Sequence, residues 1–543
     1  MDRNLAPPAF RSARNFGLHS SVITHMPTRH PRIPNVKLIY RFYRSYKIRS
    51  LVQANAPKDH NLTLPTLNIV PAPFTWRSGG DKPPQALFAK VQLHLRKSIT
   101  MDTNILPVDP EKLGNISFQD AKQDLIDDWD IQYVEGKDYE SLKRAAGELL
   151  NTDTPVAFPT ETVYGLGADA TRSSAVKAIF AAKGRPADNP LIVHIHSLRQ
   201  LRAILSGGKE NLKGAVGPED DPIPAIYRPI IERFWPGPIT IILPAPDSSM
   251  LAPEVTAGLP TFGARMPRSI LALSLLRLCG RPLAAPSANA STRPSPTAAE
   301  HVFDDLQERI RTIIDGGPCE VGVESTVVDG LSSPPSILRP GGITVEQLRQ
   351  CPGWENVVVG YKDSQEGGAS KPRAPGMKYR HYSPKAKVIL FEAGAGQPSR
   401  AEVTRENTVG VIRTISWQPV LGLAKVQQNG SHTNGHEVQL SQPSYSTQKQ
   451  DTSTRRSNLL RSVVQHQIPH AEHHKSATND TNIWDIYLGA DTQDVARGLF
   501  SALRELDKKG ADVIYVEGID DKAGDDIAAA VMNRLRKAAE IRQ

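Results

Sequence analysis

The residues of this 543-residue chain that could do chemistry crowd between positions 158 and 342. FPTETVYGLG sets Thr160, Glu161, Thr162 and two glycines at the end of a short apolar run. That composition suits a loop that brings hydroxyls and backbone N–H groups close to a small polar ligand. KGRPADNPLIVHI then offers Lys183, Arg185, Asn189 and His194. Two cations two residues apart, with an amide nearby, suit polyphosphate oxygens through charge-assisted hydrogen bonds. FWPGPIT adds a rigid turn, and AGLPTFGARMP adds Thr261 and Arg265. APSANASTRPSPT supplies Ser287, Asn289 and Ser295 ahead of a helix that starts near Thr297, an arrangement fit to cradle an anion. GVESTVVDG and ILRPGGI close the set with Ser325, Thr326 and Arg339.

Other chemistries are excluded by their missing signatures. The chain has no GxxxxGK[ST] loop, no GxSxG elbow, no HExxH and no CxxC pair. A polar, cationic site without an evident nucleophile points to catalysis by positioning and charge stabilisation. Taken singly, each residue has a plainer reading. Arg185 or Arg339 alone would be a structural ion-pair residue, His194 alternates within LIVHI as a core residue would, and Thr160 and Thr162 could cap a turn. Their joint, ordered occurrence favours the site.

These residues need a scaffold, and the pattern around them is alternating helix and strand. SLKRAAGELL and SSAVKAIFAAKGR read as helices, with others around 268–279, 297–309 and 344–350. TPVAF, LIVHI, ITIIL, FGARM, LAA, TIIDG, STVVDG and SILR read as strands. So many strands beside so few crossover helices predict a mixed sheet in an α/β domain over 140–350. Residues 101–139 read as a lead-in segment, and 351–383 as a Gly/Pro/Lys-rich linker. In 384–543, AKVILFE, TVGVIRT, DIYLGA and DVIYVEG with two helices suggest a smaller Rossmann-like α/β domain. Inside it, about 425–482 is rich in Gln, Ser, Asn and His, and is expected to be disordered because it lacks apolar surface to offset chain entropy. Its His466, His470, His473 and His474 read as solvated low complexity rather than as a metal site.

The ordered set PTETVYGLGA, KGRPADNPLIVH, FWPGPIT, TAGLPTFGARMP, APSANASTRPSPT, GVESTVVDG and LRPG resembles the YrdC-like family, and KxR (Lys183, Arg185) with SxN (Ser287, Asn289) matches its signature. The connector APGMKYRHYSP and the second domain resemble the family's long form, the two-domain L-threonylcarbamoyl-AMP synthases. The likeness spans about 140–420 and 484–543. It implies a twisted mixed sheet with helices, and a nucleotidyltransferase reaction in which L-threonine, bicarbonate and ATP give threonylcarbamoyl-AMP and pyrophosphate, with Mg2+ assisting. The product would serve a tRNA threonylcarbamoyl transferase complex that modifies ANN-decoding tRNAs. By motif position, the family's threonine contacts fall on Thr162, His194, Arg265, Ala285 and Ser325. Its nucleotide contacts fall on Arg185, Asn189, Thr261, Ser287, Ser295, Arg339 and Tyr379, and Lys183 would add positive charge toward the phosphates. Tyr379 lies in the linker, which is expected to fold over the pocket as a lid.

Net charge is +8, but residues 1–100 carry +13 and the rest −5. This basic tail, poor in acids and rich in Arg, Ser and aromatics, matches a mitochondrial transit peptide, and equally a disordered extension or untranslated sequence ahead of a second start at Met101. The expectation is a cytoplasmic enzyme, with a mitochondrial form that uses the extension. No apolar run is long enough to cross a bilayer, and three scattered cysteines exclude a disulfide framework. A double-stranded RNA-binding module without turnover is the alternative, since YrdC-like domains present a basic concave surface; the body's −5 weighs against it. A carbamoyltransferase subunit would need Cys-rich zinc modules, which the chain lacks.

Overall fold

The computed structural model describes residues 101–118, 129–208, 220–361, 381–423, 469–476, 480–521 and 526–543. Its first half runs β1 (Asn104–Pro107), an antiparallel pair β2 (Gly114–Phe118) and β3 (Trp129–Tyr133), α1 (Lys137–Asn151), β4 (Val156–Phe158) and β5 (Gly165–Asp169). Next come α2 (Ser173–Lys183), β6 (Ile192–His194), α3 (Leu198–Leu205), β7 (Ile239–Pro244) and β8 (Thr261–Arg265). α4 (Ile270–Cys279), β9 (Leu283–Ala284), α5 (Ala299–Leu306) and β10 (Thr312–Asp315) follow. β11 (Thr326–Asp329), β12 (Ser336–Arg339) and β13 (Val358–Val359) end this half.

These strands form one eleven-stranded sheet, in the order β1-β10-β4-β5-β9-β6-β8-β7-β11-β12-β13, with β2 and β3 apart. It contains both parallel pairs such as β6–β8 and antiparallel pairs such as β7–β8, so the sheet is mixed, as the strand-to-helix ratio predicted. Helices cover it by their apolar stripes. On α1, Leu142, Ala145, Ala146 and Leu149 recur at helical spacing and pack with Leu271, Leu275 and Leu276 of α4. Each fully buried leucine of this kind contributes roughly 1.5–3 kcal/mol.

The second domain holds β14 (Lys387–Phe391), β15 (Thr408–Arg413), β16 (Glu472–Lys475), β17 (Asn482–Tyr487), α6 (Thr492–Lys508), β18 (Val513–Glu517), α7 (Asp526–Ala538) and β19 (Ile541–Arg542). Its sheet order is β16-β17-β15-β18-β14-β19, with β17, β15, β18 and β14 parallel. Both sheets belong to one compact unit.

Three expectations meet the structure differently. Residues 101–139 are more than a lead-in, because β1 lies parallel to β10 at the edge of the large sheet. GLGAD, read as part of a ligand loop, is strand β5 paired with β4. The stretch 425–482 is not wholly irregular, because Glu472–Lys475 pairs antiparallel with β17 and the His473 ring packs at a tilt against Trp484, centroids 4.4 Å apart. An edge strand tolerates charged and polar residues, so no apolar alternation announced it. Residues 1–100, 362–380 with Tyr379, and 424–468 with His466 lie outside the described residues. Among the described residues, no group of His, Cys, Asp and Glu is arranged to hold a metal ion.

Candidate active site

Side-chain alternation along β6 decides where His194 sits. Leu191, Val193 and Ile195 enter the main core, so Ile192 and His194 take the opposite face. There they line a cavity together with residues of several neighbouring strands and loops. Arg265 on β8 stands in register with His194 across the parallel pair. α2 stops at Gly184, whose φ of 62° lies in the left-handed region that favours glycine, and the next residue, Arg185, joins the cavity wall.

The wall is tightly organised. The Thr160 and Thr162 hydroxyls are 2.9 Å apart, and Arg265 Nη1 donates to Thr162 Oγ1 at 2.8 Å. Arg265 Nε donates to the Gly237 carbonyl at 3.3 Å, and Nη2 lies 2.7 Å from Glu161 Oε1. Arg339 Nε and Nη2 donate to the Ser325 carbonyl at 3.0 and 2.9 Å, and Nη2 also reaches Ser325 Oγ at 3.0 Å. Ser325 Oγ shares a further bond with Thr240. Arg185 Nη2 donates to the Asn189 and Pro190 carbonyls at 3.3 and 3.1 Å. The lining hydroxyls of Thr162 and Ser325 thus bond to other hydroxyls and to guanidiniums rather than to a general base.

Burial sets the charges. It lowers Arg185 and Arg339 to about 10, which leaves both cationic at neutral pH. Burial first, and Arg265 second, drive His194 down to about 3, so its ring is neutral, and its Nδ1 has no hydrogen-bond partner among the described residues. The cavity therefore combines fixed positive charge with a neutral imidazole, a setting suited to anionic oxygens beside an amine.

Of the residues picked from sequence, Thr162, Arg185, His194, Arg265, Ala285, Ser287, Ser325 and Arg339 all line this cavity. Lys183 does not, which corrects the expectation that its charge faces the phosphates. Its ammonium is buried and donates to the carbonyls of Ser287 and Asn289 and to Asn289 Oδ1, so it ties down the 287–289 loop. Asn189 lies behind Arg185, and Thr261 opens β8 at the end away from Arg265. Ser295 is buried one step back, donating to Glu324. Three ionisable wall residues escaped the sequence reading: Glu324, beside Ser325, and His381 and Tyr382, which follow Tyr379 in the same connector motif. Tyr382 packs on Phe500 of α6 at 5.2 Å, so the second domain backs this wall.

Among the described residues, the acidic group on the wall is the Glu324 carboxylate, and Ser295 and Arg534 already occupy it. A protein-held Mg2+ site usually needs one or two carboxylates to spare. The described residues do not fit a resident Mg2+ ion.

Fold and site together define a two-domain α/β protein whose cavity is lined by buried arginines and hydroxyls, a setting that suits anionic ligands. Comparisons narrow the class. A family model described as "Telomere recombination" matches residues 148–341, and one described as "Threonylcarbamoyl-AMP synthase, C-terminal domain" matches 343–540. The threonylcarbamoyl-AMP synthase of Schizosaccharomyces pombe is 41% identical, over 81% of this chain and 98% of its own. That of Bacillus subtilis is 40% identical, over 73% and 92%. A crystal structure of Pyrococcus abyssi Sua5 complexed with L-threonine superposes with a TM-score of 0.54 at 33% identity, covering 81% of this chain and all of that one. The chain belongs to the threonylcarbamoyl-AMP synthase family.

Proposed function

We propose that this chain is a nucleotidyltransferase that joins L-threonine, bicarbonate and ATP into threonylcarbamoyl-AMP, releasing pyrophosphate. The observation that carries the reading is the convergence of Arg185, Arg265 and Arg339 with Thr162, His194 and Ser325 on one cavity. Threonine's amine takes up bicarbonate carbon to form a carbamate, with loss of water. A carbamate oxygen then attacks the α-phosphorus of ATP, the bond to the bridging oxygen breaks, and pyrophosphate leaves with the electron pair. No protein nucleophile takes part.

Arg265 would bind the threonine carboxylate, sharing its fork with Glu161. Neutral His194 would accept a hydrogen bond from the amine, while Ser325 and Thr162 orient the hydroxyl end. Arg185, Ser287 and Arg339 would take the nucleotide's phosphates, with Asn189, Thr261, Ser295 and Tyr379 as further nucleotide-side residues. Lys183 would act by fixing the Ser287 loop. Magnesium would arrive on the triphosphate as part of the substrate. The connector segment carrying His381 and Tyr382 would exclude water from a hydrolysis-prone mixed anhydride. The consumer of this product would be a tRNA threonylcarbamoyl transferase complex, and residues 1–100 would direct a mitochondrial form beside a cytoplasmic one.

The test is pyrophosphate release by the full chain with ATP, threonine and bicarbonate, omitting each in turn. All three are expected to be required, and turnover that persists without threonine would overturn the assignment.

A further inference from the structure

The second domain reaches the active site through a charge that never meets solvent. Arg534, on α7, has a fully buried side chain. Apart from the Ala530 carbonyl one turn back on its own helix, its hydrogen-bond partners among the described residues belong to the catalytic domain. Nε donates to Glu324 Oε2 at 3.1 Å, Nη1 to the Pro340 carbonyl and Nη2 to the Glu324 carbonyl at 3.3 Å. Its guanidinium also lies 6.0 Å from the Tyr382 ring. On α6, Arg504 is nearly as buried and holds the Asp305 carboxylate at 2.7 and 3.2 Å, with Nε on the Pro294 carbonyl at 3.1 Å. Ser501 bonds Thr297 at 2.8 Å. The segment from Pro294 to Thr297, which contains Ser295, is thus gripped from the second domain.

Glu324 is the pivot. It lines the cavity, accepts from Ser295 Oγ, and adjoins Ser325, which Arg339 holds. Its burial favours the neutral acid, but Arg534, Arg339 and the Ser295 hydroxyl together outweigh that and hold it at about 2, so it is a carboxylate at neutral pH. An anion on a wall with Arg185, Arg265 and Arg339 would pair with whichever guanidinium reached it. Arg534 supplies a partner from behind the wall.

We infer that Arg534 is a positioning residue for the nucleotide side of the pocket: by holding Glu324 from the second domain, it fixes Ser295 and limits the pull of Glu324 on Arg339. This rests on the nucleotide-side assignment proposed above. It gives the second domain a part in the reaction itself and not only in covering the pocket.

The experiment compares the full-length wild type with Arg534→Met, Arg534→Lys and Glu324→Gln/Arg534→Met. Each is followed by thermal melting, by calorimetric binding of a non-hydrolysable ATP analogue, and by the KM values for ATP and threonine. In Arg534→Met, Glu324 is expected to turn onto Arg339, weakening analogue binding and raising the ATP KM about tenfold or more, while the threonine KM moves less than about threefold. Removing both charges in the double variant should restore analogue binding to within about threefold of wild type. Arg534→Lys keeps the charge but not the fork, so it should fall between wild type and Arg534→Met. If Arg534→Met fails to fold, the Arg534→Lys and double variants decide. Wild-type analogue binding in a folded Arg534→Met or Arg534→Lys, or a double variant as weak as the single, would overturn the inference. Arg497→Ala, which removes an exposed interface bond to the Glu320 carbonyl, should change none of these readouts. Calorimetry separates this inference from the proposed reaction. Analogue binding that follows Arg534 without threonine-dependent turnover would sink the reaction and keep the positioning role.

Discussion

A guanidinium facing both a buried carboxylate and a substrate must divide its donors, and Arg265 is placed to do so between Glu161 and the cavity. Arg265→Ala would leave Glu161 buried and unpaired, at a cost of about 3–5 kcal/mol, so it would confuse binding with unfolding. Arg265→Lys keeps a charge beside Glu161 but loses the fork. The threonine KM of that variant should rise about tenfold or more with the ATP KM little changed, by steady-state kinetics; an unchanged threonine KM would remove Arg265 from the amino-acid site. The buried imidazoles give a second prediction. His194 and His381 are both held at about 3, each mainly by burial, against an ordinary value of 6.5. The unfolded chain takes up protons at these positions below about 6.5, and the folded chain does so only near 3. Their contribution to stability is therefore full above 6.5 and falls with pH across that window, by up to ~1.4 kcal/mol per pH unit for each. Urea unfolding from pH 7 to pH 4 should show a shallower fall in His194→Asn than in wild type; parallel curves would contradict a neutral buried His194.

At the scale of elements, what the sequence could tell depended on whether a segment's signal was its own. β4, β6, β7 and β8 are apolar runs bounded by turn residues, and α1 and α6 carry apolar stripes, so all were legible. β5 was not, because GLGAD has no alternation to read and its glycines answer to packing. A Cβ built on Gly167 would lie 2.7 Å from Phe158 Cε1, so the two strands approach closely only with glycine there. Phe158 is fully buried, so it has little room to yield. Gly167→Ala should lower stability by about 1–3 kcal/mol in denaturant titration, and a variant as stable as wild type would show that the ring moves freely. β1, β13, β16 and β19 are short edge strands that exist through their neighbours, and such short runs do not advertise their pairing. The site was read by the same logic. Arginines and hydroxyls in compact motifs were visible. Glu324 was masked by the serine and threonine beside it, and the partner that gives it meaning lies 210 positions away.

The whole molecule is built so that neither domain is complete alone. Val163, beside Thr162, and Val323, beside Glu324, sit in the same apolar cluster as Val388, Leu499 and Phe500 of the second domain. A chain ending at residue 361 would expose these residues and strip Glu324 of Arg534. It should bind a hydrophobic dye and lose activity about tenfold or more relative to the full chain; full activity in the shortened chain would make the second domain dispensable. The central claim is that one cavity joins an amino acid to a nucleotide through a carbon taken from bicarbonate. The most direct measurement supplies 13C-bicarbonate with threonine and ATP, and follows product mass and pyrophosphate together. The account predicts threonylcarbamoyl-AMP carrying the labelled carbon, formed in equal amount to pyrophosphate and absent without threonine. Pyrophosphate released without labelled product, or AMP joined directly to threonine, would contradict it.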